Sequence, residues 1–136
     1  MTFTRVVVDS SGWIEVFTGG PQADTFLALM ANKSSLVVPA ISIFEVFKWG
    51  LREHGEAQAI QAAAAMQCGQ VVDLDSRLAL AAAQLSHALQ LPMADSIILA
   101  TARDRQARLH TMDSDFRGIA EVEWLEALPL RQVCVL

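Results

Sequence analysis

The sequence predicts an α/β fold, a three-layer αβα sandwich around a central and mainly parallel sheet. Short runs of apolar, often β-branched residues alternate with longer segments whose apolar residues recur at helical spacing. The short runs lack the alternation of a half-exposed strand, which is typical of parallel strands covered by helices on both faces. A chain of 136 residues suits one hydrophobic core, so we expect a single domain over residues 1–136.

Five short segments are predicted to be strands, and the first two have the composition of buried strands. The first, RVVVD, places three valines in a row before an aspartate, and LVVP and QVVDL repeat this β-branched pattern. Further along the chain, ARLHTM and EVEWL are predicted to be the fourth and fifth strands. The predicted ranges are 5–9, 36–39, 70–74, 107–112 and 121–125.

Six segments between the strands are predicted to be helices. DSSG offers N-cap chemistry to the first helix, which two glycines close. The others repeat apolar residues at helical spacing, and Pro92 separates the last two. The predicted ranges are 12–20, 21–32, 41–53, 56–68, 76–90 and 93–107. A turn or short helix is expected at 114–118, and the tail at 129–136 has an ambiguous pattern.

The composition excludes a disordered chain and argues against a broad basic face. Hydrophobic residues make up 53% of the chain and charged residues 18%, which is typical of a globular protein. The net charge of −5 disfavours extensive nucleic-acid contacts but leaves room for a local basic stripe. Cys68 and Cys134 form no paired motif, which indicates buried or incidental thiols in a reducing compartment. Since no apolar run approaches a membrane span or a signal-peptide core, we expect a cytoplasmic protein.

Four acidic residues from distant segments are predicted to meet at one edge of the sheet. Asp9 ends the first strand and Asp113 follows the fourth, so both emerge at the carboxyl edge, where open α/β sheets bind ligands. Glu45 lies early in the helix after the second strand, and that helix begins at the same edge. Asp95 opens the helix before the fourth strand, and its place at the edge depends on residues 91–94.

Asp95 needs a partner, because it shares a helical face with Ile98, Leu99 and Ala102. A carboxylate beside apolar surface is costly unless it is paired or coordinated. Carboxylates brought close together repel one another by roughly 4 kcal/mol per pair at an intermediate dielectric, and a divalent cation removes this cost. All-oxygen ligands favour Mg²⁺ or Mn²⁺ over zinc. The histidines have no zinc-binding spacing; they are His54, His87 and His110.

Each acid also has an ordinary structural explanation. Asp9 and Asp95 could cap the helices that they begin. Glu45 could pair with Lys48 one turn later, and the acids at 113 and 115 could be turn residues. The convergence of four separate segments is more specific than any single acid, and it favours a metal site.

The ordered set of motifs resembles the PIN-domain ribonucleases, and most closely the VapC-type toxins of bacterial toxin–antitoxin pairs. The motifs are VVVDSSGWIEVF, PAISIFEVFKWGL, LPMADSIILATAR and LHTMDSDF, and the resemblance covers about residues 5–125. The most specific part is ADSIILATAR followed by T-x-D-x-D-F. The resemblance implies a PIN-like αβα sandwich with a parallel sheet.

The resemblance also assigns site residues. The catalytic and metal-binding acids of the family pattern fall on Asp9, Glu45, Asp95 and Asp113. Asp115 is a rival or a support for Asp113, because family members differ over which of the two positions bears the ligand. Ser10 and Thr111 match small hydroxyl positions that line the site in relatives.

The activity implied by the resemblance is Mg²⁺-dependent endonucleolytic cleavage of RNA, and we expect Mn²⁺ to substitute. Our hypothesis is metal-assisted hydrolysis, with Asp9 and Asp95 holding one ion for the activation of water. Glu45 and Asp113 would bind a second ion, recruited with the substrate, at the leaving oxygen. The resemblance further implies a homodimer and a VapB-type antitoxin partner.

An acidic chain that cuts RNA needs local positive charge. The candidate cations are Lys48, Arg52, Arg103, Arg105, Arg108 and Arg117. We predict phosphate contacts from Lys48, Arg52 and Arg103, and binding that weakens as salt rises. The alternative for Arg103 and its neighbours is a solvated helix face.

Two other enzyme classes fit less well. A phosphoacceptor receiver domain needs a lysine late in the chain, and none follows Lys48. A haloacid-dehalogenase-type phosphatase needs D-x-D after its first strand, where this chain has DSS. A non-catalytic PIN-like module that binds RNA or protein is the alternative function. Large apolar residues could form core, a dimer face or an antitoxin groove; they are Trp13, Phe17, Phe44, Phe47 and Trp49.

Overall fold

A computed structural model of the chain describes residues 3–129, so nearly all of the predicted tail lies outside the described residues. Within that range the strands are β1 (Arg5–Val8), β2 (Leu36–Pro39), β3 (Gln70–Val72), β4 (Ala107–Thr111) and β5 (Val122–Trp124). The α-helices are α1 (Ser10–Thr18), α2 (Ala23–Met30), α3 (Ala40–Glu53), α4 (Glu56–Met66), α5 (Ser76–Leu89) and α6 (Met93–Asp104). A 3₁₀ turn, Ser114–Phe116, follows β4.

The five strands form one parallel sheet in the order β3-β2-β1-β4-β5. The predicted αβα sandwich with a parallel sheet is therefore confirmed. In the central strand, Val6 pairs with Leu36 of β2 on one side and with Arg108 of β4 on the other. The chain runs outward from β1 to β3 and then returns to place β4 and β5 on the other side. This reversal makes the β1/β4 junction the place where such sheets bind ligands.

Helices cover both faces of the sheet. On one face Val7 and Leu109 pack in a core with α5 and α6. On the other face Val8 packs with Trp13 and Phe26 in a core that α1 to α4 complete. Adjacent valines thus enter opposite cores, which explains why β1 is apolar without alternation.

The boundary between β1 and α1 differs from the prediction. β1 ends at Val8, because Asp9 is the N-cap of α1 and accepts a hydrogen bond from the N–H of Gly12 at 3.4 Å. The helix therefore begins at Ser10, two residues before the predicted start. An aspartate at this position satisfies backbone donors that a helix start leaves without partners.

Two other elements are shorter than predicted. α6 ends at Asp104, and Gln106, with a left-handed φ of 53°, makes the turn into β4. A right-handed helix cannot continue through that conformation. β3 ends at Val72, two residues before the predicted end.

The large apolar residues divide between core and surface. Trp13 is 3% exposed and belongs to the core, whereas Phe44 is 60% exposed.

Cys68 is an exposed free thiol, and Cys134 lies outside the described residues. Among residues 3–129, none of the helices has both the length and the apolar character that crossing a membrane requires.

Candidate active site

The predicted acids lie at the carboxyl edge of the sheet, around the ends of β1 and β4. Asp9 directly follows β1, and Asp113 follows β4 after one intervening residue. Asp95 is in the first turn of α6, and residues 91–94 bring that turn to the same edge. Segments that are distant in the sequence therefore converge at this edge.

Three of these acids are close enough to share one ion. Asp95, Asp113 and Asp115 each offer a carboxylate oxygen, and the three oxygens lie within 4.8 Å of one another. Asp95 is buried, Asp113 is half-buried and Asp115 is exposed, so the group opens from the protein interior to solvent. Asp115, the predicted rival or support of Asp113, lies beside it in this group.

Asp95 carries the greatest electrostatic cost. Its side chain lies in an almost fully buried stretch of α6 and is 9% exposed. Its pKa is raised to about 7, mainly by burial and also by the nearby charges of Asp113 and Asp115. Asp95 does not serve as the N-cap of its helix, a position that Pro92 occupies. The capping alternative for Asp95 is therefore wrong.

Asp9 lies beside this group and is 3% exposed. The pKa of Asp9 is raised to about 6, mainly by burial and to a smaller extent by the charge of Asp113. Hydrogen bonds from Ser11, Thr111 and Gly12 act in the opposite direction and lower this pKa. The capping alternative for Asp9 is correct, but it does not compete with a site role. A cap at the end of β1 also places the carboxylate toward Asp113.

Glu45 lies outside the group of three. Its Oε1 accepts a hydrogen bond from the hydroxyl of Ser10 at 2.6 Å, which ties α3 to the start of α1. The alternative that Glu45 pairs with Lys48 is not observed among residues 3–129. The lysine ammonium instead lies 5.9 Å from the centre of the Phe44 ring.

Ser11 connects the ends of β1 and β4 at the site. It was not among the site residues predicted from the sequence. Its hydroxyl donates to Asp9 Oδ1 at 2.6 Å and accepts the N–H of Met112 at 3.0 Å. Thr111, fully buried, accepts the N–H of Asp113 at 2.9 Å, and its hydroxyl lies 3.5 Å from that of Ser11. The two neighbouring serines therefore serve different acids. The signal in the sequence was the N-cap motif DSS, which places hydroxyls in the first turn of α1.

Asp113 also fits its structural alternative. Its side chain accepts the N–H of Asp115 at 2.9 Å, as an acid capping a short turn does. This bond fixes the turn that brings the two carboxylates to the same side as Asp95. The capping role of Asp113 thus helps to build the group of three.

The predicted RNA-contacting arginines lie apart from the acids. Arg103 is in the last turn of α6, at the opposite end of that helix from Asp95. Its Nε lies 3.7 Å from Oε2 of Glu121. Arg52 near the end of α3 pairs with its exposed neighbour Glu53 at 2.8 Å.

The acids fit a hard divalent cation. Within residues 3–129, no lysine, arginine or histidine forms a salt bridge with Asp9, Glu45, Asp95, Asp113 or Asp115. The donor set consists of carboxylate oxygens, which Mg²⁺ and Mn²⁺ prefer. The raised pKa values of Asp9 and Asp95 show that these carboxylates lack a neutralising charge. Asp95, Asp113 and Asp115 are the residues best placed to hold such an ion.

Comparisons with known proteins agree with this architecture. The sequence model of the PIN domain family matches residues 6–122. No curated protein gives a significant match to the sequence. A toxin–antitoxin complex from Klebsiella pneumoniae is similar in structure, with a TM-score of 0.72 and 26% identity, over 86% of this chain and 94% of that chain.

Two further solved structures share the fold at lower identity. VapC20 of Mycobacterium tuberculosis, described as a toxin that cleaves the sarcin–ricin loop, has a TM-score of 0.70 and 20% identity over 91% of this chain and 99% of its own. DNA-bound VapBC of Salmonella typhimurium has a TM-score of 0.70 and 14% identity over 91% and 98%.

Proposed function

Because this chain belongs to the PIN domain family, we propose that it is a Mg²⁺-dependent endoribonuclease and the toxin of a type II toxin–antitoxin pair of the VapC type. The observation that carries the proposal is the group of Asp95, Asp113 and Asp115, whose oxygens lie within 4.8 Å of one another. A cation lowers the electrostatic cost of keeping such a group, with Asp9 beside it, as a set of ionised carboxylates.

Each acid has a separate task in this proposal. A bound Mg²⁺ supplies a water of lowered pKa and a positive charge at the scissile phosphate. Asp95, Asp113 and Asp115 hold the ion, with Asp9 contributing negative charge from its buried position. Ser10 fixes one oxygen of Glu45 and leaves the other to orient a water or to bind a second ion.

RNA is the proposed substrate, and two features support it. The acidic group opens to solvent through the exposed Asp115, so a phosphodiester can approach it from outside. VapC20, which shares the fold, is described as cleaving an RNA loop. Mn²⁺ is expected to replace Mg²⁺, because both prefer oxygen ligands.

The proposed protein partner is a VapB-type antitoxin. Similar structures are described as toxin–antitoxin complexes. A cleft of about 270 Å³ between α1, α3 and α4 offers a mixed surface to such a partner; its apolar lining is Phe17, Trp49 and Ala62, and its polar lining is His54, Gln58 and Gln61. We further propose that residues 1–136 act as one cytoplasmic PIN-like domain and as a homodimer, which light scattering can measure.

Cleavage of RNA with and without metal tests the proposal. The wild-type chain should cut a structured RNA mixture in Mg²⁺ and stop when EDTA is added. Asp95→Asn and Asp9→Asn should lower the cleavage rate on the order of 100-fold or more, because a metal contributes several kcal/mol to such reactions. Asp24→Asn, which changes an exposed acid on α2, is the matched control and should cut normally.

Two results would contradict the proposal. Full-rate cleavage by Asp95→Asn, or cleavage that survives EDTA, would remove the metal site from the reaction. RNA binding with no cleavage under any metal would favour the non-catalytic PIN-like module instead.

A further inference from the structure

Positive charge is scarce near the acids, and most of it is already paired. Five arginines form ion pairs with carboxylates; they are Arg52, Arg77, Arg103, Arg105 and Arg108. Arg5 and Lys33 lie at the opposite edge of the sheet and donate to backbone carbonyls. Of the cations in residues 3–129, Lys48 and Arg117 have neither kind of partner; Lys48 follows Glu45 by three residues, and Arg117 follows Asp115 by two.

Lys48 belongs to an exposed cation–aromatic pair on α3. Its ammonium lies 5.9 Å from the centre of the Phe44 ring, one turn away on the same helix face. Phe44 is 60% exposed and directly precedes Glu45, whose carboxylate Ser10 holds at the site. An exposed ring with a cation close by offers a surface on which an unpaired base can stack.

Arg117 belongs to a second pair on the other side of the acids. Its guanidinium lies 4.8 Å from the centre of the Trp124 ring. Arg117 follows Asp115 by two residues, and Trp124 on β5 pairs in register with Thr111 at the end of β4. The ring therefore holds an exposed arginine next to the group of three acids.

The sheet order places the two pairs on either side of the site. α3 follows β2, and Trp124 lies on β5, while Asp9 and Asp113 follow the two strands between them. A chain of phosphates that crosses the acids from the α3 side to the β5 side passes both cations. The cations of the two pairs thus supply the positive charge that the acidic site lacks.

We propose that Phe44, Lys48 and Arg117 form the RNA-contacting track of this protein. Phe44 stacks against an unpaired base, and Lys48 and Arg117 contact phosphates on the two sides of the cleaved bond. Trp124 positions Arg117. The inference rests on the proposed ribonuclease function and assigns residues to substrate binding.

The charge favours RNA over a second protein as the occupant of this surface. Lys48 and Arg117 are exposed cations, and exposed cations suit the negative charge of a phosphate chain. Stacking on an aromatic ring with a cation close by is a common way to bind single-stranded nucleic acid, and it tolerates different base sequences.

Fluorescence anisotropy tests the track with a labelled single-stranded RNA of mixed sequence, about 12 nucleotides long. The full chain is used in EDTA, which prevents cleavage. Lys48→Gln and Arg117→Gln should weaken binding and lower the slope of log Kd against log salt by about 0.7 each. Phe44→Leu, which keeps apolar bulk but loses the ring, should weaken binding roughly fivefold or more, and Phe44→Tyr should restore it.

Two charge-matched controls make the result specific. Arg52→Gln changes a cation one turn beyond Lys48 on the same helix, and Arg103→Gln changes one at the far end of α6. Both arginines are ion-paired and should leave RNA affinity unchanged.

Each outcome bears on the inference in a defined way. If Lys48→Gln behaves like Arg52→Gln, or if Phe44→Leu binds as tightly as wild type, the track is wrong even though the chain cuts RNA. If Phe44→Leu changes the mass measured by light scattering and leaves RNA affinity intact, a second copy covers this ring and the assignment falls. A wild-type chain that neither binds nor cuts RNA would instead overturn the proposed function.

Discussion

At the scale of single residues, the site depends on side chains that have two roles. Asp9 caps α1 and also lies beside the acids, and Asp113 caps the turn that presents Asp115. The capping bonds restrict each carboxylate to one orientation, so local structure and site geometry support each other. An acidic residue that caps a helix or a turn can therefore also have a role in the site.

Ser11 is the residue whose removal best tests this coupling. In Ser11→Ala, Asp9 and the N–H of Met112 each lose a hydrogen-bond partner. We expect a loss of roughly 1–3 kcal/mol in the free energy of unfolding and about 10- to 100-fold weaker Mn²⁺ binding. Urea unfolding and calorimetric titration with Mn²⁺ measure the two effects.

Two further variants separate positioning from general stability. Ser11→Thr keeps the hydroxyl and should recover most of the Mn²⁺ affinity. Ser34→Ala changes an exposed serine at the opposite edge of the sheet and should match wild type in both measurements. Unchanged Mn²⁺ affinity in Ser11→Ala would show that Asp9 does not depend on this hydroxyl.

At the scale of elements, α6 connects the core to the site. Eight consecutive residues from Asp95 to Ala102 are buried, so the helix is covered nearly all round. It packs against α5 and the sheet, and this packing fixes the first turn that carries Asp95. A carboxylate on such a helix cannot move away from Asp113 and Asp115 to relieve repulsion.

Truncation of the α6 core measures this support. Leu99 is 1% exposed, so Leu99→Ala should cost about 2–5 kcal/mol in the free energy of unfolding through lost burial and a cavity. Leu80 on α5 is 71% exposed, and Leu80→Ala should change it by no more than about 0.5 kcal/mol. Equal losses in the two variants, measured by urea unfolding, would mean that α6 does not anchor the core.

At the scale of the whole molecule, folding brings together negative charges that are far apart in the chain. The strand order sets Asp9 beside Asp113, and the packing of α6 adds Asp95. The unfolded chain separates these carboxylates and lets water solvate them. Metal-free folding therefore works against carboxylate repulsion, and a bound cation removes that cost.

The stability of the metal-free protein should fall as pH rises. The pKa of Asp95 is about 7 and that of Asp9 about 6 in the folded chain, against an ordinary value of 3.8. Between these values the folded state binds more protons than the unfolded state, so the free energy of unfolding decreases from about pH 4 to about pH 7 and then levels off. Thermal unfolding in EDTA across this range measures the trend.

Asp95→Asn and Mn²⁺ should each oppose this loss. At about pH 8 in EDTA, Asp95→Asn should be more stable than wild type by roughly 2–4 kcal/mol, because the buried charge is gone. Mn²⁺ should stabilise the wild type at that pH, since it binds only the folded site, and should do so far less in Asp95→Asn. A pH-independent metal-free protein would show that Asp9 and Asp95 are not buried as carboxylates in solution.

The α/β class, the parallel sheet, the edge where the acids meet and the PIN family were all predictable from the amino-acid sequence alone. These follow from local patterns: β-branched runs such as RVVVD, helical spacing, and an aspartate after a strand, each decided within a few residues. The predicted element ends were off by one to three residues where one side chain decided the boundary, as Asp9 and Gln106 show.

Which side chains come into contact depends on tertiary packing and was not predictable from the sequence. In the folded chain, carboxylate oxygens of Asp95, Asp113 and Asp115 lie within 4.8 Å of one another. Ser11 donates a hydrogen bond to Asp9, and Ser10 donates one to Glu45. Arg103 lies at the far end of α6 from Asp95. A hydrogen bond or ion pair requires atoms from separate segments to meet within a few ångströms. Periodicity fixes the face on which a residue lies, but the packing of helices on the sheet fixes those distances.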